Sequence, residues 1–335
     1  MEQVNKLIQE EDFGKFRSYS AIELLEMKFK PREFLIESLA REKDSIIFVG
    51  NEKSGKSLFV LQLIASATSQ HPFLDKFEVK NPCRVTYVQL EGEIEDTQDR
   101  LKRLLKTLEC DSDLFQVLYS PPLELQNKEG INKLYEDITA FHKPDIIIID
   151  PLYFAFSGSL SQDDIVRQFI GNLRILKEKL GCAIILVHHT HKKKWDNTGN
   201  KIDEGDEAIF GSVFFKAWAD HILFLAYDKR TGVRTLSCTT QRSGNILKLC
   251  QLRLVEPDPL YFEESEGTPT RETQILNILM QEEQVNGLTA DEFMKISEMG
   301  HTTFYKSVKK PLAEGVISKS TQRPVRYFYV KRKEQ

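Results

Sequence analysis

Gly50-Asn51-Glu52-Lys53-Ser54-Gly55-Lys56-Ser57 fits the spacing GxxxxGK[ST] at every fixed position. An apolar run, Ile46–Val49, precedes it, and a helix-patterned stretch, Leu58–Gln70, follows. This context suits a phosphate cradle. Glycines let the backbone curl so that several N–H groups face one anion, and a helix N-terminus adds partial positive charge. Lys56 offers a point charge to the β- and γ-phosphates of a nucleoside triphosphate, and Ser57 offers a hydroxyl to Mg²⁺. The expected nucleotide-binding segment is therefore Gly50, Asn51, Glu52, Lys53, Ser54, Gly55, Lys56, Ser57 and Leu58.

Outward from this loop, short apolar runs alternate with amphipathic stretches. The runs are Ile46–Val49, Arg84–Leu90, Phe115–Tyr119, Ile146–Ile149, Ala183–Val187 and His221–Leu225. Continuous apolar runs are the mark of strands covered on both faces. Between two of them, Ile165, Phe169, Leu173, Leu176 and Leu180 recur at three- and four-residue steps and predict a helix with one buried face. Such alternation predicts an α/β fold with a mostly parallel, doubly wound sheet.

A strand ending in an acid completes the cradle. Ile146-Ile147-Ile148-Ile149-Asp150 places Asp150 where a carboxylate can reach the Mg²⁺ shell beside Ser57. The next residue is Pro151, so no glutamate directly follows to activate water. The best alternative base is Glu91, at the end of Arg84–Leu90, a strand expected near the cradle strand, which would aim Glu91 towards the γ-phosphate. Its neighbours Glu93 and Glu95 read instead as acids at the start of the helix Ile94–Leu108. His188 and His189 close the strand Ala183–Val187, and a polar group there could sense the γ-phosphate by hydrogen bonding.

Later in the chain the pattern changes. Arg234–Thr240 and Ile246–Leu252 read as a hairpin around Ser243-Gly244-Asn245. Pro257, Pro259, Gly267 and Pro269 make the segment 256–270 read as a linker. Beyond it come three helix candidates: Glu272–Glu283; Leu288–Glu298, opened by a Thr289/Glu292 capping box; and Thr302–Glu314. A short hairpin, Val316–Lys319 with Arg326–Val330, follows. This order predicts a small winged helix-turn-helix domain at 271–335. Residues 1–44 read as an N-terminal extension and residues 45–255 as the core.

Composition sets limits. Of 335 residues, 41% are apolar and 29% charged, enough for a core and a soluble surface. No run reaches the length of a membrane span, and the N-terminus lacks the apolar stretch of a secretory signal. The five cysteines form no CxxC pair and read as reduced, mostly buried thiols of a cytoplasmic protein. The net charge of −4 confines any nucleic-acid contact to local patches.

Together the motifs resemble the RecA-type branch of P-loop ATPases, and within it the RepA-like hexameric helicases and the DnaB motor. The resemblance rests on Gly50–Ser57, Val88-Gln89-Leu90-Glu91 with Arg100 and Leu101 downstream, Ile149-Asp150-Pro151-Leu152, Val187-His188-His189-Thr190, Gly211-Ser212 and Gln241-Arg242-Ser243-Gly244. It implies ATP and Mg²⁺ as ligands, with Lys56 and Ser57 on phosphate and metal. Glu91 matches the catalytic glutamate, Asp150 the Walker B acid, and His188 and His189 the paired histidines of RepA-like proteins. Arg242 matches the arginine inserted into the neighbouring subunit's site. DnaB-like motors carry a lysine two residues before that arginine, and here the position is Thr240.

The same resemblance places the loops Ala155–Gln162 and His191–Glu207 at a central channel. The second carries Lys192, Lys193, Lys194 and Trp195, a mix of charge and ring that suits single-stranded DNA. In the C-terminal module Thr302, Lys306, Lys309, Lys310, Arg323 and Arg326 fall on the expected recognition helix and wing, where duplex DNA would bind. The sequence thus points to a homo-oligomeric, hexameric DNA-dependent ATPase of helicase type, with no membrane partner. The alternatives are an ATP-switched DNA-binding regulator or loader, and a signalling ATPase whose winged helix binds protein.

Overall fold

The computed structural model describes residues 18–119, 123–160, 162–189, 213–228, 232–241, 250–265, 287–297, 299–313 and 316–329, with residues 271, 275, 278 and 279. The described residues fall into two compact units. The first draws on 1–225, 236–249 and 254–263; the second draws on 226–235, 250–253 and 264–335.

The first unit is built on parallel strands. In chain order they are β3 (Ser45–Gly50), β4 (Val85–Gln89), β5 (Phe115–Tyr119), β6 (Ile146–Asp150), β7 (Ala183–His189) and β8 (His221–Tyr227). Pairing runs β5–β4–β6–β7–β3–β8, parallel at every step. β9 (Arg234–Gln241), β10 (Cys250–Val255) and β11 (Tyr261–Glu264) extend the sheet beyond β8 to nine strands. Every residue of β3, β4 and β6 is buried, including the polar Thr86 and Gln89 of β4.

Helices cover both faces. On one, α2 (Lys56–Ser69) lays Phe59 against Phe48 of β3, ring centroids 4.7 Å apart, and α3 (Ile94–Leu104) follows β4. On the other, α4 (Lys128–Thr139), α5 (Asp163–Leu180) and α6 (Val213–Trp218) bury Ile131, Leu134, Phe169, Leu173, Leu176 and Phe215 against Ile47, Val49, Ile147, Ile149, Ile184 and Leu186. Each such side chain contributes roughly 1.5–3 kcal/mol by leaving water. The ends of α5 are written in its sequence. Asp163 and Asp164 sit in the first turn, Lys177 and Lys179 in the last, and Gly181 caps it at φ 69°.

Two boundaries differ from the sequence expectation. Residues 34–41 are folded: after the exposed helix α1 (Ala21–Glu26), β1 (Phe34–Ile36) pairs with β2 (Ala40–Arg41), and Ile36, Leu39 and Ala40 are buried. The expected linker contains β11, where Phe262 is 1% exposed. Pro257 and Pro259 precede this short strand, of which Phe262 alone is buried. The expected 246–252 strand is β10, starting at Cys250, and residues 242–249 lie outside the described set.

In the second unit β12 (Leu288–Thr289), β13 (Ile317–Lys319) and β14 (Arg326–Tyr329) form an antiparallel sheet in the order β12–β14–β13. Its helices are α7 (Ala290–Ser297), α8 (His301–Ser307) and α9 (Lys309–Ala313); residues 271, 275, 278 and 279 are also helical. The capping box holds: Glu292 N–H donates to Thr289 Oγ1 at 3.2 Å, and Thr289 N–H donates to Glu292 Oε2 at 2.9 Å. The helix expected over 302–314 is broken at Val308, which is buried beside Phe304, Phe293 and Tyr327. There Pro311 lacks the N–H that would extend the i→i−4 ladder back into α8.

Candidate nucleotide-binding site

The cradle forms as its sequence demands. β3 delivers Gly50, and α2 starts at Lys56 with Gly55 as its N-cap at φ 92°. A Cβ on Gly50 would stand 2.8 Å from the Leu225 carbonyl oxygen and 2.8 Å from Ser54 Oγ. A Cβ on Gly55 would stand 2.6 Å from Phe262 Cζ. Gly50 therefore requires glycine for close approach, and Gly55 for close approach and for its positive φ. Glu52 and Lys53 are exposed, Asn51, Gly55 and Ser57 half-buried, and Ser54, Lys56 and Leu58 buried.

Lys56 is 5% exposed, and its Nζ donates to the carbonyls of Gly50 and Asn51 at 3.0 Å each. Burial pulls its pKa down to about 8, against the opposing pull of Asp150, Glu91 and Glu52. The group is thus a partly desolvated cation that feels the carboxylates of Asp150, Glu91 and Glu52. A phosphate here would meet a donor that water cannot fully screen.

Asp150 ends β6 and is 5% exposed. Its Oδ2 accepts the Tyr87 hydroxyl at 2.9 Å. Burial raises the Tyr87 pKa well above 10, so the phenol stays a donor; Ser57 pulls it slightly the other way. A buried hydroxyl therefore orients the carboxylate expected on Mg²⁺, close to Ser57. The donor set, a serine hydroxyl and a carboxylate beside a lysine, fits a nucleotide-bound hard cation.

Glu91 follows β4, in the same parallel sheet as the cradle strand. β7 and β6 stand between β3 and β4. With strands about 4.8 Å apart, the gap leaves room above the sheet edge for a triphosphate. Glu91 is exposed, yet its charge is felt at Lys56.

Strand alternation assigns His188 a face of the sheet. In register, Phe48 pairs with Val187 and Val49 with His188. Phe48 faces α2, so His188 belongs to the opposite face, with Ile184 and Leu186, where it is 3% exposed. Asp150 lies on the α2 face with Tyr87. His188 is therefore placed as a core group beneath the site. His189 pairs with Gly50 in register, but its side chain is outside the described residues. So are Arg242 and the channel-loop candidates Lys192, Lys193, Lys194 and Trp195. The loop after β6 is less open than expected: Ala155, Phe156 and Leu160 are buried, leaving Ser157, Gly158 and Ser159 exposed.

In the second unit Thr302, Lys306, Lys309 and Arg323 are exposed, and the Lys310 side chain is outside the described set. Arg326 is half-buried. Its Nη1 donates to the Gly287 carbonyl at 2.8 Å and to Glu292 Oε2 at 3.2 Å, so that donor supports the capping box instead of an open surface.

Tyr87, Gln89, Thr97 and the Gln62–Phe262 pair were not anticipated from sequence. Tyr87 and Gln89 do carry a signal: two polar-tipped residues alternate on one face of an otherwise apolar strand, both aimed at the site. Gln62 and Phe262 carry none, since 200 residues separate them.

A parallel α/β sheet, a glycine cradle at a helix N-terminus, a buried lysine and a strand-ending acid define a P-loop nucleotide-binding protein. The match to a family model agrees: the AAA domain family covers residues 10–194, more than half of the chain, and the protein belongs to it. That membership makes it an ATPase of the P-loop type. No curated protein matches the sequence. Among the described residues no helix is long and apolar enough to cross a membrane.

Proposed function

We propose that the protein is a homo-oligomeric, hexameric RecA-type ATPase of the RepA-like kind that acts on DNA as a replicative helicase of a plasmid, phage or mobile element. The supporting observation is the Lys56 ammonium, buried in the cradle and feeling the charge of both Asp150 and Glu91. A binding module needs the lysine alone. A carboxylate on a separate strand, within electrostatic reach of the γ-phosphate position, is what water activation requires.

In this reading Lys56 and the loop N–H groups hold the β- and γ-phosphates. Ser57 and Asp150 hold Mg²⁺, which when bound neutralises charge on the phosphoryl oxygens. Glu91 accepts a hydrogen bond from the attacking water and orients it in line. Arg242 of one subunit completes the site of the next and stabilises the charge of the transition state. Lys192–Trp195 track single-stranded DNA in the channel. The second unit is read as a winged helix, because its helices and three antiparallel strands follow the order of that motif. Thr302, Lys306, Lys309, Lys310 and Arg323 would then meet the duplex.

The test is ATP hydrolysis with and without single-stranded DNA, paired with strand displacement on a forked substrate. DNA-stimulated hydrolysis with displacement supports the helicase. DNA-stimulated hydrolysis without displacement favours the second reading, an ATP-switched DNA-binding regulator or loader, for which the C-terminal unit speaks. Mass measurement with ATP analogue and DNA gives the ring size.

A further inference from the structure

β4 ends in Gln89, which is 3% exposed, and the chain then turns through Glu91, Gly92 and Glu93 before α3 begins. The Gln89 side chain is bent back over that turn. Its Nε2 meets the carbonyl oxygens of Glu91 at 3.2 Å, Gly92 at 3.5 Å and Glu93 at 3.4 Å. Its Oε1 accepts the Thr97 hydroxyl at 2.8 Å. Thr97 is itself 3% exposed, one turn into α3. Three carbonyls can face only an amide NH₂, and a hydroxyl donor needs the amide oxygen, so this network fixes the amide orientation. Gly92, at φ 78°, makes the turn that brings the three carbonyls round one nitrogen.

The clamp stands on a rigid base. Gln89 is paired with Asp150 in register, and Leu90 N–H donates to the Asp150 carbonyl at 2.8 Å. Glu91 itself is exposed and has no burial to hold its backbone. A carboxylate orienting water must be placed to within about 0.5 Å. The Gln89 amide, bonded to three carbonyls of the turn, supplies such precision to its backbone.

We propose that Gln89, locked by Thr97, is the positioning residue that aims Glu91 at the attacking water. The inference rests on the reading of Glu91 as the water-orienting group. Gln89 touches no reacting atom; it ties the Glu91 turn to β4, whose register neighbour is the strand that carries Asp150.

The test uses the full chain with Gln89→Leu, Thr97→Val, Thr97→Ser and Glu91→Gln. Steady-state ATP hydrolysis gives kcat and KM, and a fluorescent ATP analogue gives Kd. Gln89→Leu should lower kcat by about tenfold or more, as mispositioning of a catalytic group does, with KM and Kd within about twofold. Thr97→Val should lower kcat less, and Thr97→Ser should restore it. Added to Glu91→Gln, Gln89→Leu should cause no further loss, because the group it aims is gone. Wild-type kcat in Gln89→Leu, or a full multiplicative loss in the double variant, would overturn the proposal. Should Gln89→Leu fail to fold, Thr97→Val decides: unchanged kcat counts against the clamp. Full turnover in Glu91→Gln would sink the reading of Glu91; a dead Glu91→Gln beside an unaffected Gln89→Leu would sink the clamp alone.

Discussion

The Tyr87 hydroxyl donates to Asp150 Oδ2 at 2.9 Å. The carboxylate expected on Mg²⁺ is thus oriented by a buried group that cannot itself ligate at neutral pH. Partners of ligating carboxylates typically matter about 10–100-fold in metal affinity or activity. Tyr87→Phe should keep the fold and the nucleotide site but raise the Mg²⁺ concentration for half-maximal hydrolysis about tenfold. A Mg²⁺ titration of the rate checks this; an unshifted midpoint means that Tyr87 only fills space.

Burial holds the Lys56 pKa at about 8. A bound triphosphate would pull it back up, so nucleotide binding takes up a proton where free Lys56 is neutral. Affinity should be flat below about pH 8 and fall above it, by at most about tenfold per pH unit. Fluorescent-analogue Kd values from pH 7 to 9.5 test the sign. An affinity that improves with rising pH would contradict the placement of Lys56 on phosphate. Lys56→Ala should abolish binding at every pH.

At the opposite end of β3, His221 Nε2 meets Asp44 Oδ2 at 2.9 Å, with both side chains fully buried. Burial disfavours the imidazolium, but the hydrogen bonds of Asp44 and Cys238 outweigh it and hold the His221 pKa at about 9. Arg32 Nη1 also reaches Asp44 Oδ1, at 3.1 Å. The folded pKa lies above the unfolded value of about 6.5. The pair's stabilisation is therefore full below about pH 6.5 and is lost as pH rises through about 9. Melting temperature should fall across that window in the wild type and vary less with pH in His221→Asn. A wild-type melt that rises from pH 6.5 to 9 would refute it.

The parallel sheet was legible because each of its strands is a continuous apolar run, and the cradle because its glycines and Lys56 are local. Ile146–Asp150 even announced its own acid. Strand order was not legible: nothing near Glu91 tells that β7 and β6 lie between β4 and β3. The face of His188 was not legible for the same reason, since it depends on register with β3. Arg326 looked like surface charge because its partners, Gly287 and Glu292, are more than 30 residues away. β11 was hidden by the prolines around it.

Gln62 of the cradle helix holds β11 by both backbone groups of one residue. Its Nε2 donates to the Phe262 carbonyl at 2.7 Å, and the Phe262 N–H donates to its Oε1 at 2.7 Å. Gln62 is 3% exposed, and the Phe262 ring lies over Gly55 of the cradle. Gln62→Leu keeps the volume but strands a buried N–H and a buried carbonyl, at a cost of about 1–3 kcal/mol each. With Phe262 released, the loop over Gly55 loses its backing as well. The variant should melt earlier and bind the ATP analogue more weakly, while Gln62→Glu, which retains one acceptor, should lie between. A lower melting temperature with unchanged analogue affinity would show that β11 stabilises the sheet without shaping the cradle.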